Sequence, residues 1–301
     1  MNQNIVFSAR PCSAEKEDHT FRESTMKSVQ HCIRTLPVLA IFLGLSACGI
    51  LAEKPAGDLK VVNGAFATAG QFPAVIRLLN EEAMGSCSGT FVSPTLVLTA
   101  AHCTTGGGEP DGTGKVEHTI HWVSAEDDSG SRTILGTSHS LIRHPSIDSS
   151  MTANEMTGAT DVALLTFPAG LAPAIAELAT ESPEVSDQLT VVGFGRNSGL
   201  TIFPGESGRK RWGTSTVSGV ADGEIRFRGS PLHTGNSGQR VMSGSGDSGG
   251  PMFVDGKLAG VCSARIRPLF GWAHTGVYAD INNTEVGRFL DQHLGTGPAG
   301  D

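Results

Sequence analysis

The chain has 301 residues, 17% of them charged, and a formal net charge of −8. That acidic balance argues against a nucleic-acid partner, whose phosphates need a basic surface, while the length suffices to bury a sizeable core in one large domain or two small ones. Thirty-nine glycines, 6% aromatics and short runs of Val, Thr and Ile favour an all-β protein rich in turns over a helical one.

In chain order, residues 1–25 are polar, aperiodic and long for the basic head of an export signal, so Met26 is read as the start and the first 25 residues as untranslated. Residues 36–45, LPVLAIFLGL, form an apolar run preceded by Lys27 and Arg34. The run is too short to span a bilayer permanently and reads as the hydrophobic centre of a secretory signal. Residues 1–47 are the expected leader, with 26–47 its signal peptide. Leu45-Ser46-Ala47-Cys48 resembles the bacterial lipobox, which implies cleavage before Cys48 and a diacylglycerol on its sulfur. Several acyl chains on one residue anchor stably where one is marginal. Ordinary cleavage after Ala47 would leave Leu45 where a small residue is preferred. Residues 49–60, GILAEKPAGDLK, lack periodicity and make a tether reaching at most about 40 Å.

Cysteine use follows from this division. Cys12 and Cys32 precede the cut, Cys48 is the lipid site, and Cys87, Cys103 and Cys262 remain for the folded part, 61–301. An exported compartment permits disulfides, and three thiols allow one bridge and a leftover.

The folded part reads as strands: PAVIRLL, SCSGTFVS, TLVLTA, HTIHWVS, DVALLTF, LTVVGFG, EIRFRG, PMFV, KLAGVCSA and HTGVYADI. Gly, Pro, Asn and Asp clusters separate them, and Val254-Asp255-Gly256-Lys257 is a hairpin signal. Residues 104–114, TTGGGEPDGTG, read as a flexible loop too poor in acids for calcium. Arg209–Arg211 reads as a solvated loop. One helix is expected, TEVGRFLDQHL, capped by Asn283 and amphipathic through Val286, Phe289, Leu290 and Leu294.

Three segments carry candidate chemistry. In LTAAHC a strand leads to His102, pinning an imidazole to a rigid element; a bridge from Cys103 to Cys87, were the two to pair, would be worth about 3 kcal/mol and lock that segment. Adjacent His and Cys without a second ligand cluster do not match zinc spacings. In DVALLTF, Asp161 opens an apolar run, a costly position unless its carboxylate is hydrogen-bonded, and an imidazole N–H is its natural partner. In GSGDSGGP, 244–251, Ser248 is either part of a turn or a nucleophile, which would need a base and oxyanion donors.

LTAAHC, the DVALL run and GDSGGP in that order, with VVNG at 61–64 and a Cys pair flanking the His segment, resemble the trypsin and chymotrypsin family of serine proteases from Val61 to about Leu294. The resemblance implies two packed six-stranded antiparallel β-barrels with a C-terminal helix and a cleft between the barrels. It implies His102 as general base, Asp161 as its orienter, Ser248 as nucleophile, and the Gly246 and Ser248 N–H groups as oxyanion hole. It also implies a Cys87–Cys103 disulfide and an ion pair from Asp247 to a new Val61 ammonium after cleavage behind Lys60. That cut would sever the lipid tether, so the anchored form is a zymogen and the active form soluble. Met242 falls at the floor of the specificity pocket, followed by Ser243, with walls at Ser263, Ala264, Arg265 and Gly276. The neutral floor departs from relatives that cut after Lys or Arg and favours an apolar or small side chain. Arg265 stands where the family usually has Gly, and either narrows the pocket or attracts an acidic side chain. Gly244 replaces a half-cystine beside the floor, and Cys262 is expected to be a buried small hydrophobe.

The expected product is a monomeric serine endopeptidase, exported and lipid-anchored or released, acting on proteins or peptides without a cofactor. GDSGG also fits the elbow of α/β-hydrolases, but those need a helix after the Ser and a later His. A lipid-anchored, inert binding module on the same fold is the non-enzymatic alternative.

Overall fold

The alternating runs become two curled antiparallel sheets, in a computed structural model that describes residues 61–125, 131–196, 207–230, 238–267 and 274–295. Two units are distinguished, 1–53 and 54–301, and every described residue lies in the second. The leader, Cys48, the tether and Lys60 lie outside the described residues. Among these residues no helix is long and apolar enough to cross a membrane.

The strands in chain order are β1 (Ala65–Phe66), β2 (Val75–Asn80), β3 (Gly85–Phe91), β4 (Leu96–Thr99), β5 (Lys115–Val116), β6 (His121–Val123), β7 (Ile134–Thr137), β8 (Ser140–Arg143), β9 (Ala163–Thr166), β10 (Gln188–Gly193), β11 (Arg211–Ala221), β12 (Glu224–Gly229), β13 (Pro251–Val254), β14 (Lys257–Ile266) and β15 (His274–Asp280). The first sheet runs β5-β8-β9-β4-β3-β2-β6-β7; no ladder among the described residues joins its ends, so it is a half-barrel. In the second, β11-β10-β13-β14-β15-β12 closes on itself through a β11–β12 pairing, with β1 appended at β11. Closure of six strands removes the exposed edges that a sheet otherwise offers to other chains. The expected fold class holds.

Each sheet buries one face. Ile76, Leu78, Phe91, Val97, Leu141, Leu165 and Phe167 fill the first, and Val191, Val217, Phe227, Met242, Met252 and Tyr278 the second. A third cluster joins the sheets: Leu98 and Leu164 from the first meet Val192, Phe194 and Phe253 from the second, and the helix α1 (Thr284–Leu294) seals it with Val286, Phe289 and Leu290. The helix begins as expected, with Asn283 accepting from the Glu285 and Val286 N–H groups, a cap worth about 1 kcal/mol. The β13–β14 hairpin turns at Asp255 and Gly256, with φ of 50° and 80°, the pair of positive values a type I′ turn requires.

Two local expectations change. The Arg209–Arg211 cluster is not a solvated loop: Arg211 opens β11, is fully buried, lies 3.7 Å from the centre of the Phe66 ring and donates to the Gly64 carbonyl at 2.5 Å. A guanidinium is weakly hydrated and stacks on aromatic faces, which is what makes that burial tolerable. Lys210 donates to the Phe72 carbonyl at 2.8 Å, and burial pushes its ammonium down to about 8. The 104–114 segment is a loop but a tethered one, since Glu82 accepts from the Gly107 N–H and the Arg143 guanidinium donates to the Thr104 and Gly106 carbonyls.

Candidate active site

β4 ends at Thr99, and a single 3-10 turn, Ala101–Thr104, follows. This turn carries His102 to the sheet rim, and the Cys87–Cys103 disulfide, with Cα atoms 6.2 Å apart, ties it to β3. Both sulfurs near the imidazole are spent in that bond, so no thiolate is available there for a metal. Asp161, fully buried just before β9, meets His102 twice: Oδ1 accepts from the backbone N–H at 2.9 Å and Oδ2 lies 2.7 Å from Nδ1. The carboxylate thereby fixes both the place of the residue and the orientation of its ring, leaving Nε2 as the outward nitrogen.

The acid has a further partner, not foreseen in this role. Ser263 on β14 donates its hydroxyl to Asp161 Oδ2 at 2.6 Å, and accepts from the Gly158 N–H at 2.9 Å. A carboxylate with three donors is satisfied at a depth where it would otherwise be prohibitive. No periodicity in GVCSAR distinguishes Ser263 from any strand serine; only the approach of β14 to the first sheet gives it this contact.

Ser248 sits in the turn before β13. Its carbonyl accepts from the Ser88 N–H at 2.8 Å, and the next residue donates from Gly249 N to the Cys262 carbonyl at 2.8 Å. Gly249, at φ 75°, lies so close to β4 that a Cβ there would fall 2.1 Å from Thr99 Oγ1 and 2.8 Å from the Ala100 nitrogen. The turn is thus pressed against the segment that bears His102, and only glycine permits it. Among the described residues the Ser248 hydroxyl makes no hydrogen bond, so His102 and Asp161 are joined while the link from His102 Nε2 to Ser248 is not closed at bonding distance.

Gly246 has φ 100°, and among the described residues neither its N–H nor that of Ser248 donates to a protein acceptor. Ser88 Oγ holds the Gly246 carbonyl at 3.0 Å and accepts from the Phe194 N–H at 3.1 Å, which fixes the peptide between Gly246 and Asp247. Asp247 points inward. Its Oδ1 accepts from Gly195 N at 2.8 Å and its Oδ2 from Gly244 N at 2.7 Å, and burial nonetheless pushes the carboxyl up to about 6. Val61 is buried with φ 49°, and Val62 bridges Met242 through two backbone hydrogen bonds of 3.0 and 3.2 Å.

The remaining candidates gather on the second barrel. Met242 is fully buried in its core, Ser243 Oγ lies 3.0 Å from the Tyr278 hydroxyl, and Arg265 on β14 faces Gly276 on β15. The Arg265 guanidinium donates to the Ser243 carbonyl at 3.1 Å. Cys262 is a free, buried thiol that burial pushes up to about 12, so thiolate chemistry is closed to it.

A family model described as Trypsin matches residues 61–285. Relatives with similar sequence include a trypsin of Saccharopolyspora erythraea, 25% identical over 248 residues spanning 73% of this chain and 96% of that protein. Another is the alkaline A trypsin of Manduca sexta, 25% identical over 244 residues spanning 75% of this chain and 89% of that protein. Among solved structures, neuropsin, a serine protease expressed in the limbic system of mouse brain, superposes with a TM-score of 0.57 at 19% identity, covering 78% of this chain and 99% of its own.

Proposed function

Since the chain belongs to the trypsin family of serine proteases, we propose that it is a serine endopeptidase working through His102, Asp161 and Ser248. The observation that carries this reading is the doubly bonded His102–Asp161 pair, with its Ser263 donor, beside a turn that holds two N–H groups without protein acceptors among the described residues. His102 Nε2 takes the proton of Ser248 Oγ as that oxygen bonds to the substrate carbonyl carbon. The oxyanion forms toward the Gly246 and Ser248 N–H groups. The C–N bond then breaks as the imidazolium returns the proton to the departing amine, and water repeats the cycle on the acyl-enzyme. Each oxyanion donor of this kind contributes about 2.7 to 4 kcal/mol. With Met242 at the pocket floor no carboxylate pairs a Lys or Arg, so cleavage is non-tryptic; the floor alone favours an apolar or small side chain.

Activation proceeds by cleavage between Lys60 and Val61. Asp247 supports this, being a buried carboxylate held by two backbone donors and still displaced upward in pKa, which an ammonium would relieve. So does the positive φ of Val61, a conformation costly for a β-branched residue through its clash with the preceding carbonyl, which cleavage removes. With Cys48 lipidated, the uncut chain is anchored to the envelope and the cut chain is released.

Labelling of Ser248 by a sulfonyl fluoride, located by mass spectrometry on the processed chain, is the test; an unlabelled, fully folded chain would leave the inert binding module as the better reading. In a Lys60→Gln chain the same labelling should be slower by about 100- to 1000-fold, the effect of a mispositioned oxyanion donor. The uncut chain should also show a particular pH dependence. Asp247 has a folded pKa raised above its unfolded one, so its penalty is absent below pH of about 4 and fully present above about 6. The Tm of Lys60→Gln relative to Lys60→Gln/Asp247→Asn should therefore fall between those limits, whereas in the cut enzyme the ammonium removes that fall.

A further inference from the structure

The guanidinium of Arg265, at the proposed wall of the specificity pocket, reaches Ser243, the residue after its proposed floor. β14 pairs Arg265 with Gly276, whose own side-chain position is taken by the Phe227 ring, and the Arg265 Nη1 donates to the Ser243 carbonyl at 3.1 Å. That acceptor engages one of five N–H donors, and among the described residues no carboxylate forms a salt bridge with Arg265. The carboxylate that acts on it from a distance is Asp247, whose two oxygens are already held by Gly195 and Gly244. Arg267, exposed just past the end of β14, is a like charge, and His274, 8% exposed with an Nδ1 that lacks a partner among the described residues, is held toward its neutral form by burial and by the two arginines. In a chain of net charge −8, the neighbouring Arg265 and Arg267 are a local reversal of sign, which favours ligands of the opposite charge.

A half-buried guanidinium with one acceptor among the described residues and the like charge of Arg267 beside it discriminates among substrate side chains. A Lys or Arg is repelled. A Leu covers the N–H groups without replacing the water they lose, which costs free energy. A carboxylate accepts from the fork and neutralises it.

We infer that Arg265 sets the specificity of the proposed endopeptidase, pairing with the carboxylate of an Asp or Glu immediately before the scissile bond. This rests on the endopeptidase reading and turns the choice left by the neutral floor toward an acidic side chain.

The experiment uses the processed enzyme and peptides identical except before the scissile bond, where they carry Glu, Gln, Asp, Asn, Leu or Lys. For the wild type, kcat/KM should favour Glu over Gln, or Asp over Asn, by about tenfold or more, the effect of a charge-assisted contact, and the ratio should shrink with added salt. In Arg265→Gln the ratio should collapse toward one, and Arg265→Lys should retain part of it. A ratio taken on one preparation does not depend on how much of the variant folds. Three results would overturn the inference: Leu or Lys cleaved best by the wild type, an unchanged ratio in Arg265→Gln, or an equal rise for all peptides, which would mean that Arg265 merely blocks the pocket. If Ser248 is labelled by a sulfonyl fluoride while any of these holds, the specificity fails alone; if nothing is labelled or cleaved, the endopeptidase reading falls and takes this inference with it.

Discussion

Ser248→Ala is expected to lower kcat about a million-fold while leaving the fold in place, because removing the nucleophile of a Ser-His-Asp unit costs about as much as removing all three members. The substitution deletes one oxygen and touches none of the bonds that shape the turn. The Ser248 carbonyl still accepts from Ser88, the Gly249 N–H still donates to Cys262, and the Asp247 carboxylate still holds Gly195 and Gly244. The hydroxyl itself makes no hydrogen bond among the described residues, so its loss strands no buried partner and the Tm should move by little. Because the two N–H groups proposed to bind the oxyanion belong to the backbone, the variant should keep a residual rate about a thousand-fold or more above water. Cleavage of a peptide library at the wild-type rate would remove Ser248 from the chemistry altogether.

The parts legible in the sequence were those whose cause is local. The α1 cap at Asn283, the Asp255-Gly256 turn and the strands with strong apolar runs follow from propensity and periodicity. Asp161 was legible for a different reason, since a carboxylate opening an apolar run must have a partner and His102 was the best imidazole to supply it. β11 escaped because its eleven residues, RWGTSTVSGVA, dilute the alternation with Gly, Ser and Thr. Arg211 misled because what buries it is Phe66, nearly 150 positions away in the chain, and charge clusters are ordinarily solvated. Separation in sequence, 102 positions for the Ser263 bond to Asp161 and 22 for the reach of Arg265 to Ser243, hid these contacts too. Each joins segments that only the tertiary fold brings together, and no spacing rule on one segment announces them.

Asp161→Asn is expected to cost about ten-thousand-fold in kcat, the size known for a triad whose acid becomes an amide, and the hydrogen bonds around it say why. Wild-type Asp161 accepts from His102 N through Oδ1, and from His102 Nδ1 and Ser263 Oγ through Oδ2. An amide has only one oxygen. If that oxygen stays with the His102 backbone N–H, the NH₂ faces Nδ1 and can be satisfied only when Nδ1 gives up its proton; the proton then sits on Nε2, which can no longer take one from Ser248. If the amide flips, its NH₂ opposes the backbone N–H of His102 and the 3-10 turn must shift. The first arrangement leaves the fold intact, so the loss should appear in kcat far more than in Tm, and sulfonyl fluoride labelling of Ser248 should slow with it. Ser263→Ala separates tautomer from support: it removes one donor to the acid but leaves Nδ1 protonated, so its rate should stay at least about 50-fold above that of Asp161→Asn, in keeping with the roughly 1.5 to 3 kcal/mol of one hydrogen bond to a charged group. Equal losses in the two variants, or a loss under tenfold in Asp161→Asn, would show that the carboxylate does not act by holding the His102 proton.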